Sequence, residues 1–169
     1  MALRKMLGSV DYPEILRLMR LIGTQSSQPL AAFAADYAAA HYLPIAGKDA
    51  RLVAALEAVR SHLHDETSIK AVKPLLKDAR TAAQEETEPV RQAAKRAIAT
   101  AAAVITTPTN ALGFTFYGAA AYAYHTAGVK APAQTHDELA SQELTHIRTA
   151  LEDAAIPDES DPVSVQRNC

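Results

Sequence analysis

The stretch AIATAAAVITTPTNALGFTFYGAAAYAYHTAGV, residues 97–129, contains no charged side chain and decides the fold. It exceeds the length of about 20 residues that a membrane-spanning helix needs, but it is built from Ala, Thr, Gly and Tyr, and the segment TPTN at residues 107–110 interrupts it. Proline disfavours helix at the residue before it, whereas Thr and Asn are good N-caps. We therefore predict two helices, ending near Thr106 and restarting near Ala111, that form a buried hairpin and do not span a membrane.

The composition predicts an all-α protein of one domain. The chain has 169 residues, of which 49% are hydrophobic and 21% are charged, as in ordinary folded domains with a sizeable core. Alanine, the best helix former, dominates the composition. The N-terminus lacks the apolar region of an export signal, and the only cysteine is Cys169. We therefore expect a cytoplasmic protein without an intrachain disulfide or a cysteine zinc site.

Periodicity and capping signals predict about seven helices. The first has Asp11 and Glu14 at capping-box spacing and Pro13 in its first turn. The others carry apolar residues at helical spacing within residues 28–44, 49–63, 69–84, 87–106, 110–127 and 135–154. Because short turns join them, we predict successive antiparallel hairpins in an α-α array or bundle. This single helical domain is expected over residues 1–156, followed by a flexible acidic C-terminal tail over residues 157–169.

Charge is distributed unevenly around a net charge of −2. The helix after residue 68 places four basic residues at i, i+3, i+7 and i+10, namely Lys70, Lys73, Lys77 and Arg80. Three interpretations of these four basic residues are open: a solvated face, a surface that binds a protein partner, or a surface that binds nucleic acid. The sequence pI of about 6.3 and the lack of interleaved aromatic residues argue against nucleic acid.

The last predicted helix is acidic and is the second candidate for a partner-binding surface. Residues 135–169 hold 8 acidic residues against Arg148 and Arg167. On this helix, Glu143 and Glu152 are the residues that we expect to contact a partner. Glu143 and His146 also have the Glu-x-x-His spacing of di-metal bundles, but such a site needs a second copy, which this sequence lacks. We therefore expect both side chains at a solvated position beside the apolar stripe, and we expect no metal or other cofactor.

No sequence motif indicates an enzyme. The chain has no Gly-rich phosphate loop, nucleophile elbow or two-histidine zinc motif. His125 lies within the uncharged stretch, and it is therefore the histidine that we expect to be buried and hydrogen-bonded. A competing hypothesis places a small-ligand pocket or an active site near His125, with Tyr117, Tyr122 and Tyr124. A second competing hypothesis is a structural or scaffold protein that self-associates through its small-residue helix faces.

Several segments resemble the all-helical putative immunity protein family of bacterial polymorphic toxin systems. They are RKMLGSVDYPEILRLMRLIGTQSSQPLAAFAADYAAAHYLPI, LVAALEAVRSHL and VRQAAKRAIATAAAVITTPTNALGFTFYGAAAYAYHTAG, which cover most of residues 4–128. The most specific feature is the turn with Pro108 followed by Ala-Leu-Gly at residues 111–113. Family members carry histidines around this turn, where this sequence has Thr106 and Asn110. The resemblance implies a non-enzymatic protein that binds a cognate toxin.

Overall fold

A computed structural model describes residues 2–9 and 12–165 and confirms the all-α prediction. Over these residues the chain forms eight α-helices and one 3₁₀ helix, without a β-strand. The α-helices are α1 Pro13–Ile22, α2 Ser27–His41, α3 Leu43–Ala46, α4 Ala50–Leu63, α5 Ile69–Glu85, α6 Pro89–Ala102, α7 Asn110–Ala127 and α8 Ala133–Ala154. The expectations for Asp11 and Cys169 lie outside the described residues.

The uncharged stretch forms the C-terminal end of α6, the 3₁₀ helix Ala103–Ile105 and α7, with the break where the sequence predicts it. The helix start differs in detail, because Thr109 makes no side-chain cap. Instead, the N–H of Asn110 donates to the carbonyl of Thr107 at 3.0 Å, so a backbone turn begins the helix. α7 packs against both α6 and α8. No helix in the described ranges is long and apolar enough to cross a membrane.

The helices from α4 to α8 pack on their neighbours along the chain, and α1 and α2 complete the core. α1 packs on α8, while α2 lies against α4 and α6. The core is built largely from alanines, such as Ala34, Ala97 and Ala120, which are fully buried. Small side chains let helix backbones approach closely, so the alanine content of the sequence is used in packing as well as in helix formation.

α3 is a one-turn helix that the sequence analysis did not predict. The predicted second helix continued to Pro44, but α2 ends at His41 and the chain restarts at Leu43. Pro44 fits because proline is accepted in the first turn of a helix. The restart turns Tyr42 into the core, where only 1% of it is exposed.

Gly118 provides the space that Tyr42 occupies. A Cβ atom at Gly118 would lie 2.9 Å from Cε2 of Tyr42 and closer still to its hydroxyl group. Real Cβ atoms do not approach other atoms so closely. Because Gly118 has no side chain, α7 leaves room for Tyr42, which lies between α2 and α3.

A buried ion-pair network joins the beginning of α4 to α6. Lys95 is only 8% exposed, and its Nζ lies 2.9 Å from Glu86 and 3.3 Å from Asp49. The hydrogen bond from Arg51 lowers the pKa of Asp49 to about 2, and Lys95 contributes to the same effect. The backbone N–H of Glu88 and the Lys95 ammonium lower the pKa of Glu86 to about 2. Both carboxylates therefore stay charged and hold the lysine in place.

The segment after α8 contacts the turn between α1 and α2 through Gln25, which is 2% exposed. The Gln25 amide donates to the carbonyl of Ile156 at 2.9 Å and accepts from its N–H at 2.8 Å. The N–H of Val163 donates to the backbone carbonyl of Gln25 at 2.8 Å. The domain boundary at residue 156 and the flexibility of the tail remain predictions, and residues 166–169 lie outside the described part of the chain.

Candidate functional site

The four basic residues that the sequence analysis proposed as a candidate surface lie together on the exposed face of α5. The Ser68 hydroxyl caps the start of this helix by accepting from the N–H of Ala71 at 3.2 Å. The buried face carries apolar residues such as Val72 and Leu76. Lys70, Lys73, Lys77 and Arg80 are all exposed. We call these four residues the basic stripe.

The basic stripe has no acidic partner within the described residues. None of its four side chains makes an ion pair or a hydrogen bond there. By contrast, Arg60 pairs with Asp36 at 3.0 Å, and Arg91 pairs with Glu86 at 3.3 Å. Because its charges are not neutralised locally, the stripe presents a positive potential to molecules outside the protein.

The acidic side chain of Glu152 is exposed but paired on its own helix. Its carboxylate lies 2.6 Å from Arg148, and the same guanidinium also binds Glu14 at 2.6 Å. Glu14 thus contacts α8, and the capping partner proposed for it, Asp11, lies outside the described residues. Because Arg148 pairs with Glu152, the electrostatic potential outside α8 is weaker at this point than the potential outside the basic stripe.

The expectation that Glu143 occupies a solvated position is wrong, because Glu143 is only 3% exposed. The hydroxyl of Tyr42 donates to Oε2 at 2.6 Å, and that of Tyr37 donates to Oε1 at 3.1 Å. Nδ1 of His146 lies 3.2 Å from Oε1, and this histidine is exposed, as expected. Glu143 lies four residues before Ile147, so helical spacing places it in the buried stripe of α8. It offers no free carboxylate to a partner, and its contribution to binding remains an untested prediction.

Burial sets the ionisation of this polar cluster. Desolvation raises the pKa of Glu143 above its usual value, although the hydrogen bonds from Tyr42, His146 and Tyr37 oppose the effect. Burial and the nearby carboxylate also raise the pKa of Tyr42 and of Tyr37. The two tyrosines are therefore hydrogen-bond donors at neutral pH. The cluster is a satisfied buried network that ties α8 to α2.

A cleft of about 480 Å³ opens beside Glu143 and includes His125 and Tyr122. However, the prediction that His125 is buried and hydrogen-bonded is wrong: it is exposed and makes no hydrogen bond among the described residues. It lies at the last turn of α7, where the apolar face has ended. Tyr117 and Tyr124, grouped with it in the sequence analysis, line other cavities.

The buried histidine is His136, which the sequence analysis did not single out. It is 4% exposed, and its Nε2 lies 2.8 Å from the carbonyl of Gly128. It precedes Ala140 by four residues, so the apolar stripe of α8 contained the signal for its burial. Among the described residues, no group of three or more His, Cys, Asp or Glu side chains could hold a metal ion.

Comparison with known proteins gives one family. A family model described as Imm-5 like putative immunity protein matches residues 20–149, which extend from α1 into α8. No curated protein and no solved structure matches the chain.

Proposed function

The chain belongs to the Imm-5 like putative immunity protein family, and from that premise we propose that it binds a cognate toxin and neutralises it by steric occlusion. It acts in the cytoplasm and without catalysis, as a stoichiometric binding protein. The match to an immunity protein family supports this role. The satisfied hydrogen bonds of Glu143 support a binding protein over an enzyme, since its carboxylate is already used in the fold.

We assign toxin binding to the basic stripe. The observation that carries this choice is that Lys70, Lys73, Lys77 and Arg80 are exposed without an acidic partner in the described residues, whereas Glu152 is paired and Glu143 is buried. A surface of one sign speeds the encounter with a partner of the opposite sign and selects against other partners. The toxin surface that meets the stripe is therefore acidic.

The role is tested by capturing the partner and then measuring what it does. Tagged protein is used to isolate bound proteins from the native cell extract, and the partner is identified by mass spectrometry. The partner gene is then expressed alone and together with this protein. We expect a stoichiometric partner that arrests growth alone and is harmless in the pair, with an unchanged covalent mass. Failure to relieve the arrest would overturn the function, and a covalently altered toxin would overturn neutralisation by occlusion.

Charge reversal tests the surface. The variant Lys70→Glu/Lys73→Glu/Lys77→Glu changes the net charge from −2 by six units. The control variant reverses three exposed cations elsewhere, Arg20, Lys48 and Lys130, which have no ion-pair partner among the described residues, and it changes the net charge equally. We expect the stripe variant to slow association with the toxin about tenfold or more at low salt, and the control to have a much smaller effect. Equal effects of the two variants would show that the stripe is not the binding surface.

The two competing hypotheses predict different results in experiments on the same protein. A self-associating scaffold protein would elute as an oligomer in light scattering and would capture mainly itself. A pocket enzyme would lose its activity on substitution of His125→Ala while its stability stayed unchanged. The toxin-binding proposal expects His125→Ala to leave toxin affinity unaltered, because His125 lies on α7 and not on the basic stripe.

A further inference from the structure

A second basic feature, which shares Arg80 with the basic stripe, lies in a cleft between α5, α6 and α7. The cleft has a volume of about 410 Å³, and three cations line it: Lys5, Arg80 and Arg96. Its floor is made of small side chains, Ala83 and Ala99, which leave the space open. Among the described residues, no acidic side chain lines it. The cleft is therefore concave and positively charged.

Arg96 is the unusual member of this group. It is half-buried, but its guanidinium has neither an ion-pair partner nor a hydrogen-bond partner in the described part of the chain. The other polar groups of α6 at the cleft are already engaged. The amide of Gln92 donates to the carbonyl of Glu86 at 2.6 Å, and the hydroxyl of Thr100 donates to the carbonyl of Arg96 at 2.8 Å.

The other cations that are not fully exposed show what Arg96 lacks. Lys95 has two carboxylate partners, Arg148 has two, and Arg51 has two. Taking a cation partly out of water costs free energy, which an acidic partner offsets. Each of these three cations meets two carboxylates of the protein itself. Arg96 meets none among the described residues, and two further cations share its cleft.

We propose that this cleft is a binding site for a phosphate group. A phosphate near neutral pH carries close to two negative charges and three terminal acceptor oxygens. Arginine binds it through two parallel N–H donors, and Arg96 and Arg80 supply such donors from adjacent helices. The hydroxyl of Tyr117, which has no hydrogen-bond partner in the described residues, supplies a further donor from α7. The site does not require a toxin, so it goes beyond the proposed function.

The test titrates the purified protein with inorganic phosphate at pH 7.5 and constant ionic strength, followed by amide NMR shifts. We expect saturable shifts that cluster at Gln92, Thr100 and Tyr117. Arg96→Gln should weaken the affinity about tenfold or more, because it removes charge-assisted hydrogen bonds. The control Arg20→Gln removes an exposed arginine on α1 that is unpaired within the described part of the chain, and it should leave the affinity unchanged. Circular dichroism verifies that both variants are folded.

The comparison ligands define the chemistry. If adenosine monophosphate binds more tightly than inorganic phosphate, this supports a phosphorylated organic ligand that fills the cleft. If the two affinities are equal, this supports a site for the phosphate group alone. If acetate binds as tightly as phosphate, the phosphate assignment is overturned in favour of a carboxylate ligand. Absence of saturable shifts, or equal phosphate affinity of wild type and Arg96→Gln, would overturn the site. If Arg96→Gln is unfolded, Arg80→Gln, which alters an exposed side chain, takes its place under the same criteria.

Discussion

The substitution Gly118→Ala should destabilise the protein, although alanine favours helices. The added methyl group would meet the ring and hydroxyl of Tyr42, which is 1% exposed and cannot move towards solvent without leaving the core. The same displacement would break the 2.6 Å hydrogen bond between Tyr42 and Glu143. A single methyl group thus disturbs both the packing between helices and the buried polar cluster.

The magnitude follows from three contributions. Overpacking a dense core costs about 1–3 kcal/mol. Loss of the hydrogen bond leaves a buried acceptor unsatisfied and costs about 1–3 kcal/mol. Replacing glycine by alanine inside a helix returns about 0.5–1 kcal/mol. We therefore expect the free energy of unfolding to fall by about 1–5.5 kcal/mol.

The same helix offers a matched control. A Cβ atom at Gly113 would make only ordinary contacts, 3.7 Å from Thr100 and 3.8 Å from Asn110. Gly113→Ala should therefore stabilise the protein by about 0.5–1 kcal/mol. Urea unfolding followed by circular dichroism at 222 nm measures both variants. If Gly118→Ala were as stable as wild type, the packing argument for Tyr42 would be refuted.

Three further predictions concern buried polar groups. Lys95→Met leaves two carboxylates without their shared cation and should lower the free energy of unfolding by urea by about 3 kcal/mol. Its control is Lys48→Met, at an exposed position with no ion pair among the described residues, which should change stability by less than about 0.5 kcal/mol. Equal losses in the two variants would contradict the ion-pair role of Lys95. Because burial raises the pKa of Glu143, its contribution to stability is present below the unfolded value of 4.5 and is lost as pH rises through the folded pKa. The stability difference between wild type and Glu143→Gln, measured from pH 4 to 8, should therefore shift against wild type as pH rises, and a flat difference would refute this reasoning. Gln25→Ala should speed hydrogen exchange at the Ile156 amide about fivefold or more by removing its acceptor, and unchanged exchange would show that the Gln25 side chain does not protect this amide.

Local signals in the sequence predicted most of the helical framework. The proline turn at residues 107–110 and the Ser68 cap act through neighbouring residues, and both helix boundaries form where they were expected. The exposed face of the basic stripe follows from helical spacing alone. The start of α3 was missed because Pro44 was interpreted as a helix end, whereas proline also begins helices.

The environment of Glu143 required information that periodicity does not contain. Its partners Tyr37 and Tyr42 lie 106 and 101 residues away in the chain. Only the packing of α8 against the end of α2 brings them together, and Gly118 on a third helix makes the room. Similarly, the sequence shows that Arg96 is basic, but not that its guanidinium has no acidic partner in the part of the chain that the structure describes. Such properties depend on distances between helices, which one-dimensional spacing does not define.

The basic stripe gives the molecule a polarity that its net charge conceals. A chain with a net charge of −2 is expected to pass through a cation-exchange column at pH 7. An adsorbent bead, however, responds to the face that approaches it, since charges beyond about 10 Å are largely screened at 0.1 M salt. The basic stripe on α5 presents cations that form no ion pair among the described residues, so the protein should be retained on such a column at this ionic strength. It would adsorb in one preferred orientation, with α5 towards the bead and the rest of the fold towards solvent.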